Sequence, residues 1–381
     1  MKKLSICILC LFVLSGCWDR GEVNDVAFVI ATGFDKVEEN LYRVSVQVPL
    51  PGAMGEGTSG GGGGTSGGPF YVDSGVGRNV RESNDDLQKR MSRELYFGHR
   101  RVLVFGEELA RGGFKKSLDV VFEQPQSRLS SYVLLTKGEA MKVLNAEPHL
   151  EQLPAEAVRE MAKSRDAITV KNVLIDLYRD GIDPVIPVIE VVKTQNGESK
   201  DKRDEYLLDG YGIMKHDQLK FFTSKKEMAG TLWLNGKYQG RNYTFSLDEE
   251  SELNVFINKL KVDISSAIRH KVPKFTIDIQ VKADMMQNEP NLDMEDEKQY
   301  EKATSKMENQ IKEEVMEIIT HSTSEGIDMV GLGWHLFRSE NYIWNEKFKD
   351  RWDQILPELD IEVNVEAEIK RIINSGINIK E

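Results

Sequence analysis

The first part of the chain mixes strand and helix patterns. Residues 26–34 are an apolar run, and residues 41–48 alternate polar with apolar side chains, as in a strand with one buried face. The residues between them, DKVEEN, are polar, so the two segments predict an antiparallel hairpin. Residues 78–95 predict a helix, whose apolar face holds Val80, Leu87, Met91 and Leu95.

A strand–helix–strand unit follows. Residues 102–105 are continuously apolar, which indicates a strand buried on both faces. Gly106 ends this strand, and the acidic residues after it suit the start of a helix that we expect to run to about Glu123. Residues 130–136 form the next apolar strand. The spacing predicts a crossover that makes the two strands parallel.

Two short helices and a strand precede a charged segment. Residues 154–180 predict the helices, and the apolar residues that follow predict a strand. Because Pro184 and Pro187 cannot donate to a sheet, we expect this strand at an edge. Residues 193–205 are charged and poor in apolar side chains, which favours a domain boundary there.

The remainder of the chain keeps strands and helices in separate blocks. Residues 206–215 and 219–224 predict a hairpin, and residues 251–268 and 274–285 alternate as sheet strands. Residues 293–325 predict a long amphipathic helix. We expect its apolar face to pack on the sheet of its own domain; the alternative is that this face binds a partner protein. A short helix within 326–340 and an alternating strand at 359–371 follow.

The separation of strands from helices in this last part predicts the α+β class. The chain length favours two or three domains, which we expect to be built from mixed or antiparallel sheets flanked by helices. The predicted divisions are an N-terminal α+β region at 17–195, formed as one unit or two subdomains, and a C-terminal α+β domain at 205–381. Residues 52–68 are dominated by glycine and lack the lysine of a phosphate-binding loop, so they predict a flexible loop.

The start of the chain predicts a removed lipoprotein signal peptide at 1–16. Lys2 and Lys3 precede an apolar run from Leu4 to Leu14, which is too short to span a bilayer that needs about 20 apolar residues. The sequence LSGC at 14–17 is similar to a bacterial lipobox. We therefore expect Cys17 to become the first mature residue and to carry S-diacylglycerol and an N-acyl chain, which together hold stably to a membrane.

Charge and cysteine content limit the function classes. Cleavage before Cys17 removes two lysines and no acid, and leaves 62 acidic and 48 basic residues. Such an acidic chain is not typical of a nucleic-acid binder, and we expect its body to stand off an anionic membrane. Cys7 and Cys10 would be discarded with the signal, so no disulfide can form within the mature chain.

No motif in the sequence indicates catalysis. No H-E-x-x-H or G-x-S-x-G pattern occurs, and the six histidines are spread from His99 to His335. A zinc site assembled from distant histidines stays open. Three tryptophans near the C-terminus could line a ligand cleft, but we expect them mainly in packing: Trp334, Trp344 and Trp352. We predict no catalytic residue, no metal site and no cofactor.

Several segments together resemble one family, the Ger(x)C lipoproteins of spore-forming bacteria. They are GCWDR at 16–20, ATGFD at 31–35, FGHRRVLVFGEELAR at 97–111, LLDGYGIMKHDQLKFF at 207–222, MVGLGWHLFR at 329–338 and ILPELDIEVNVEAEIKR at 355–371. They cover nearly the whole chain in the family's order. The first and third of these segments are the most specific.

The resemblance implies the C subunit of a nutrient germinant receptor, a multidomain protein with three α+β domains. It implies a non-enzymatic protein at the outer face of the spore inner membrane, with A- and B-type integral membrane subunits as partners. Only Cys17 carries over as a functional residue. The alternative from another class is a lipid-anchored solute-binding protein of a transporter, which shares the lipobox and size but typically has two doubly wound lobes. A surface hydrolase would need a site that the sequence does not show.

Overall fold

The computed structural model describes residues 25–50, 68–164, 168–195, 203–249, 251–269 and 272–371. The strands are β1 (Val26–Phe28), β2 (Ala31–Glu38), β3 (Leu41–Pro49), β4 (Phe70–Gly77), β5 (Glu94–Tyr96), β6 (Val102–Gly106), β7 (Tyr132–Thr136), β8 (Ile168–Thr169), β9 (Val185–Lys193), β10 (Asp204–Lys215), β11 (Gln218–Phe222), β12 (Asn242–Ser246), β13 (Glu252–Arg269), β14 (Val272–Asn288) and β15 (Asp360–Arg371). The helices are α1 (Val80–Gln88), α2 (Glu107–Gly112), α3 (Lys115–Glu123), α4 (Ala140–Asn145), α5 (Pro154–Ser164), α6 (Val170–Tyr178), α7 (Lys225–Leu234), α8 (Glu297–Ser324), α9 (Leu332–Ser339), α10 (Asn341–Ile343) and α11 (Trp352–Ile355). The predicted signal peptide, Cys17 and nearly all of the predicted glycine loop lie outside these residues.

A mixed nine-stranded sheet organises the first part of the chain. Its order is β11-β10-β9-β7-β6-β2-β3-β4, and the short β8 pairs with β7. The central strands β2, β6, β7 and β9 are parallel, and antiparallel strands extend the sheet on both sides. The predicted hairpin is confirmed in β2 and β3, and the predicted parallel crossover is confirmed in β6 and β7. The first predicted strand, residues 26–34, is divided in the structure. Its first residues form β1, which pairs in parallel with β5 outside the large sheet, and its last residues belong to β2.

Helices cover both faces of this sheet. On β6, Leu103 and Phe105 enter a core with α1, α3 and α6. Val102 and Val104 enter the opposite core with α4 and α5. The prediction of a strand buried on both faces is therefore confirmed, and its continuous apolar run follows from that position.

Two helix predictions in this part were too long. The segment 78–95 is helical only to Gln88, and Leu95 instead lies in β5 opposite Ala27 of β1. The segment from Glu107 to Glu123 forms two helices, because Gly113 has φ of 104° and ends α2. Such a left-handed conformation suits glycine and is incompatible with a continuous helix.

The prediction of an edge strand around the two prolines was wrong. The strand β9 lies between β7 and β10. Its contact with β7 is a single paired position, Leu135 with Val188. Its pairing with β10 shifts register between Leu208 and Tyr211, opposite Pro187. Because the pairing of β9 is irregular on both sides, Pro187 can lie inside the sheet although it has no backbone N–H to donate.

The last part of the chain packs a four-stranded sheet against one long helix. The sheet order is β12-β13-β14-β15, with antiparallel pairs except for the parallel pair β14–β15. Met307, Ile311 and Val315 of α8 are buried against this sheet, as the sequence predicted. The opposite face carries polar side chains, as is usual for a sheet with one solvated face.

The two parts meet along β10. Tyr211 and Ile213 of β10 form a small apolar core with Leu232 of α7 and Ile318 of α8. The predicted domain division at 195–205 falls between β9 and β10, which are hydrogen-bonded neighbours in one sheet. With mixed and antiparallel sheets flanked by helices, the predicted multidomain α+β fold is confirmed.

Candidate functional site

Two identical tripeptides face each other where the two parts meet. Gly181-Ile182-Asp183 leads into β9, and Gly326-Ile327-Asp328 follows α8. Both glycines have positive φ, 73° at Gly181 and 67° at Gly326, a backbone conformation that favours glycine. Each tripeptide therefore turns sharply and directs a buried aspartate at the other segment.

The two aspartates are joined through backbone and side chain. The backbone N–H of Asp183 donates to the carbonyl of Asp328 at 2.8 Å, and the N–H of Asp328 donates to Oδ2 of Asp183 at 3.0 Å. Oδ1 of Asp183 also accepts the backbone N–H of His216 at 2.7 Å. Three segments distant in the sequence thus converge on one carboxylate.

Asp328 also organises the segment that follows it. Its carboxylate accepts the backbone N–H groups of Gly331, Leu332 and Gly333 at 2.7–2.9 Å, at the start of α9. Oδ2 additionally accepts Nε1–H of Trp352 at 2.9 Å. Burial raises the pKa of Asp328 to about 6, although these donors act in the opposite direction.

Lys215 at the end of β10 adds a charge to the same junction. Its Nζ lies 3.5 Å from Oδ2 of Asp183 and 2.6 Å from Oδ1 of Asp353, and it donates to the carbonyl of Gly326. The side chain is mostly buried. Lys215 therefore holds the large sheet, the turn after α8 and the segment around α11 together.

Close backbone contact makes the junction dense. A Cβ on Gly181 would lie 2.6 Å from Cα of Gly333, and a Cβ on Gly333 would lie 2.6 Å from Cη2 of Trp344. The N–H of Trp334 donates to the carbonyl of Gly181 at 2.9 Å. Only glycine fits at positions 181 and 333, because any Cβ there would overlap these neighbouring atoms.

A polar cleft of about 300 Å³ opens beside the junction. It is lined by residues 177–183 from one side and 349–354 from the other. Trp344 also lines it, and the indole nitrogen of this residue is buried and without a hydrogen-bond partner among the described residues. The cleft has room for water or a small polar molecule. Asp183 and Asp328 of its lining are already engaged in structural hydrogen bonds.

The tryptophans were predicted mainly as packing residues, and the structure confirms this for two of them. Trp344 and Trp352 are buried in an apolar cluster with Phe275 and Leu336. Both also line the cleft. Trp334 is half-buried and stacks on Phe337.

The described histidines are dispersed. His149 and His321 contact separate glutamates, His99 and His335 pack against aromatic rings, and His216 lies beside Asp183. Within the described residues, no group of three or more histidine, cysteine or acidic side chains is arranged to hold a metal ion. No helix in the same ranges is long and apolar enough to cross a membrane.

The sequence prediction and the structural junction concern different residues. Cys17, the predicted lipidation site, lies outside the described residues. The junction residues Asp183, Lys215 and Asp328 were not singled out from the sequence, whereas Trp352 was, as a packing residue or a residue of a ligand cleft. The repeated Gly-Ile-Asp tripeptide was the available signal, but a three-residue repeat alone does not indicate that its copies meet.

Comparisons with known proteins cover almost the whole chain. A model described as the spore germination protein N-terminal domain matches residues 19–191. A second, described as the spore germination B3/GerAC-like C-terminal domain, matches residues 209–373. Both matches lie in the order expected for one family.

Individual relatives and one solved structure agree with these models. YfkR of Bacillus subtilis (strain 168), which carries a provisional spore germination name, is 34% identical, with 94% of each chain covered. Spore germination protein KC of the same strain is 27% identical, covering 96% of this chain and 94% of the relative. The crystal structure of the GerBC protein has a TM-score of 0.53 at 20% identity, covers 89% of this chain and 96% of its own, and shows the same fold. The chain therefore belongs to the Ger(x)C family of spore germination proteins, whose N- and C-terminal domain models it matches in turn.

Proposed function

We propose that the protein is a lipid-anchored, non-enzymatic subunit of a nutrient germinant receptor at the spore inner membrane. In this role it is required for the germination response and assembles with A- and B-type integral membrane subunits. The observation that carries the proposal is the match of both family domains along nearly the entire chain. The lipobox-like sequence at 14–17 supplies the anchor.

The use of the buried acidic groups supports a structural rather than catalytic role. Asp183 and Asp328 accept backbone N–H groups at the junction. Asp35 caps α4 by accepting N–H groups of Ala140 and Met141. Each of these carboxylates is committed to the fold, whereas a general acid or base needs an oxygen directed at a substrate.

A solute-binding protein remains the competing hypothesis. Its usual pattern is two doubly wound lobes with a ligand between them. Here the second part is a four-stranded, mainly antiparallel sheet with one long helix, which fits that pattern poorly. The cleft beside Asp328 is the place where such a ligand would lie.

A genetic test separates these hypotheses. We expect a deletion strain to lose germination in response to one set of nutrients, while germination by routes that bypass nutrient receptors persists. Wild-type protein should restore the response, and Cys17→Ala should restore it weakly or not at all. A normal response to every nutrient, in a strain with no other receptor able to explain it, contradicts the proposal. Loss of solute uptake with normal germination supports the solute-binding hypothesis.

A further inference from the structure

One long stretch of the four-stranded sheet has a strand on one side only. The outer strand β12 pairs with β13 over residues 252–256, and the residues just before β12 bond Ile257. Over residues 259–268, β13 pairs with β14 on one side. Among the residues that the structure describes, no backbone group bonds the other side of this stretch. We call residues 259–268 the open edge.

The outermost strands of the nine-stranded and four-stranded sheets are protected, in contrast to the open edge. On each of them a helix side chain bonds a backbone N–H or C=O group at 2.9–3.2 Å: Asp86 bonds Val76 of β4, Arg111 bonds Lys220 of β11, Gln310 bonds Ser246 of β12 and Glu308 bonds Ala367 of β15. No described side chain bonds the backbone of the open edge. An unprotected row of backbone groups is a template for pairing with another strand.

The apolar side chains of the open edge are incompletely covered. Val262 and Ile264 face the helix-covered side of the sheet and are half-buried. Their neighbours across the ladder in β14, Ile279 and Ile277, are fully buried. One apolar row therefore loses its cover between two adjacent strands. A further strand beside β13 would restore that cover.

The hairpin register shows which backbone groups of the open edge face outward. Arg269 pairs with Val272 across two residues, and the closing pair of so tight a hairpin exchanges hydrogen bonds. The register is regular from there back to Lys259, so every second residue bonds β14 and the residues between them direct N–H and C=O away from it. These outward-facing residues are Leu260, Val262, Ile264, Ser266 and Ile268.

The outward-facing row is complementary to itself about its midpoint, Ile264. An antiparallel copy of β13 that places Ile264 opposite Ile264 also places Leu260 opposite Ile268 and Val262 opposite Ser266. All five outward-facing residues then exchange hydrogen bonds with a counterpart. Four of the five side chains are apolar and lie on the covered face, so the apolar row continues into the copy.

Neighbouring registers use the open edge less well. A two-fold axis at Asp263 sets this carboxylate opposite its own copy, and like charges directly opposite each other destabilise a ladder. An axis at Ser265 moves Leu260 opposite the hairpin connection, where no strand partner remains. The axis at Ile264 is the one that pairs the whole row.

We propose that the open edge is a dimer interface, at which two copies of this chain join their four-stranded sheets through an antiparallel β13–β13 pair centred on Ile264. Such a two-fold contact uses the same surface on both copies. Main-chain hydrogen bonds hold the pair, as in other cases where a strand is added to an exposed sheet edge. The inference depends on the sheet edge alone and is independent of the proposed receptor role.

Disulfide cross-linking of the full chain, in membranes of the cells that produce it, tests the register. In Ile264→Cys the two cysteines lie opposite each other, with Cα atoms about 5.5 Å apart, which suits a disulfide. Val262→Cys is the matched control on the same strand and face. Its two cysteines are offset by four residues, or about 13 Å, which is too far for a disulfide.

The yield of covalent dimer is the measurement. After oxidation with copper phenanthroline, we expect at least five times more dimer from Ile264→Cys than from Val262→Cys. The wild type gives the background, because Cys17 is the only other cysteine of the mature chain. Equal yields at the two positions, or no dimer from Ile264→Cys, would overturn the proposal. A product of another mass from Ile264→Cys would place a different protein at the open edge and would overturn it as well.

A backbone variant tests the hydrogen bonds. Ser266→Pro removes one outward-facing N–H, and a proline is tolerated in a strand where its N–H would face solvent. We expect the dimer association constant to fall at least tenfold, whereas Ser266→Ala, which keeps the N–H, should dimerise like the wild type. Sedimentation of the purified full-length protein in density-matched detergent, from 5 to 200 µM, gives the mass. A wild type with the mass of one chain at every concentration would refute the dimer.

A charge variant on the exposed face tests the same register without touching the core. Lys259 lies opposite Arg269 of the second copy, and symmetry makes this like-charge pair twice. Lys259→Glu turns both into opposite-charge pairs, so the association constant should rise at least threefold, and the gain should shrink in 0.5 M NaCl. Lys306→Glu, at an exposed position of α8, is the control and should show no gain. The absence of a gain in Lys259→Glu would contradict the axis at Ile264.

Discussion

Asp183 and Asp328 each donate a backbone N–H to the other residue, one to a carbonyl at 2.8 Å and one to a carboxylate at 3.0 Å. They are 145 residues apart in the sequence. Both end a Gly-Ile-Asp turn, and both are buried. The relative position of the two parts of the chain therefore depends on hydrogen bonds between buried polar groups, and the loss of one partner of such a bond is costly to stability.

The first prediction concerns Asp328. We expect Asp328→Ala to lower the free energy of unfolding by about 3 kcal/mol or more, because three backbone N–H groups and the Trp352 indole lose their acceptor in a buried site. Urea unfolding of residues 18–381 measures this. Asp350→Ala, at an exposed position of the same cleft, is the matched control and should change stability by less than about 0.5 kcal/mol. Equal effects of the two variants would show that the junction does not depend on Asp328.

The second prediction concerns pH. Burial raises the pKa of Asp328 from its ordinary value of 3.8 to about 6. Between these values the folded protein holds a proton that the unfolded chain has released, so this group's contribution to stability is present below pH 4 and is lost as the pH rises towards 6.

Comparison with Asp328→Asn isolates that contribution from other titrating groups. The stability of the wild type relative to this variant should increase by on the order of 3 kcal/mol between pH 7 and pH 4. Denaturant unfolding at pH values across this range provides the measurement. A difference that stays constant with pH would mean that Asp328 titrates alike in the folded and unfolded states.

The third prediction compares two helical glycines. A Cβ on Gly230 of α7 would lie 2.1 Å from the backbone oxygen of Glu314 in α8, so Gly230→Ala should destabilise by about 1–3 kcal/mol. The nearest atom to a Cβ on Gly112 would be 3.8 Å away, so Gly112→Ala should be neutral or stabilising by up to about 1 kcal/mol. Thermal unfolding of both variants gives the comparison. A stable Gly230→Ala variant would show that α7 and α8 can separate without loss.

The fourth prediction concerns the N-terminus. Mass spectrometry of membrane-extracted protein should find a mature chain that begins at Cys17 and carries diacylglycerol. Cys17→Ala should leave an unlipidated precursor that retains residues 1–16. Cys10→Ala is the matched control, because Cys10 lies in the removed segment and its loss should leave lipidation unchanged. A mature chain that starts at any other residue would exclude the lipobox.

Much of the fold could be predicted from local periodicity. The alternation in β13 and β14 and the apolar stripe of α8 identified these elements and their buried faces, because a half-buried element repeats its pattern every two or 3.6 residues. The two-sided burial of β6 was equally clear from four consecutive apolar residues. The lipobox and the family resemblance were also local signals.

The tertiary structure decided which elements are neighbours. Leu95 fits a helix pattern but lies in β5, because Ala27 of β1 offers a strand partner. Pro187 is inside a sheet, because irregular pairing on both sides of β9 relieves it of hydrogen bonds. Periodicity reports which face of an element is buried and carries no information about what buries it.

The junction shows most clearly the difference between what the sequence predicts and what the tertiary structure decides. The sequence contains Gly-Ile-Asp twice, and nothing in its pattern distinguishes a buried aspartate from a solvated turn residue. Only when β9, β10 and the end of α8 are brought together do Asp183, Lys215 and Asp328 meet. Sequence alone determined the class of fold and the family, and it predicts the anchor. The tertiary structure decided the polar junction, because its hydrogen bonds join residues whose proximity depends on the packing of the whole chain.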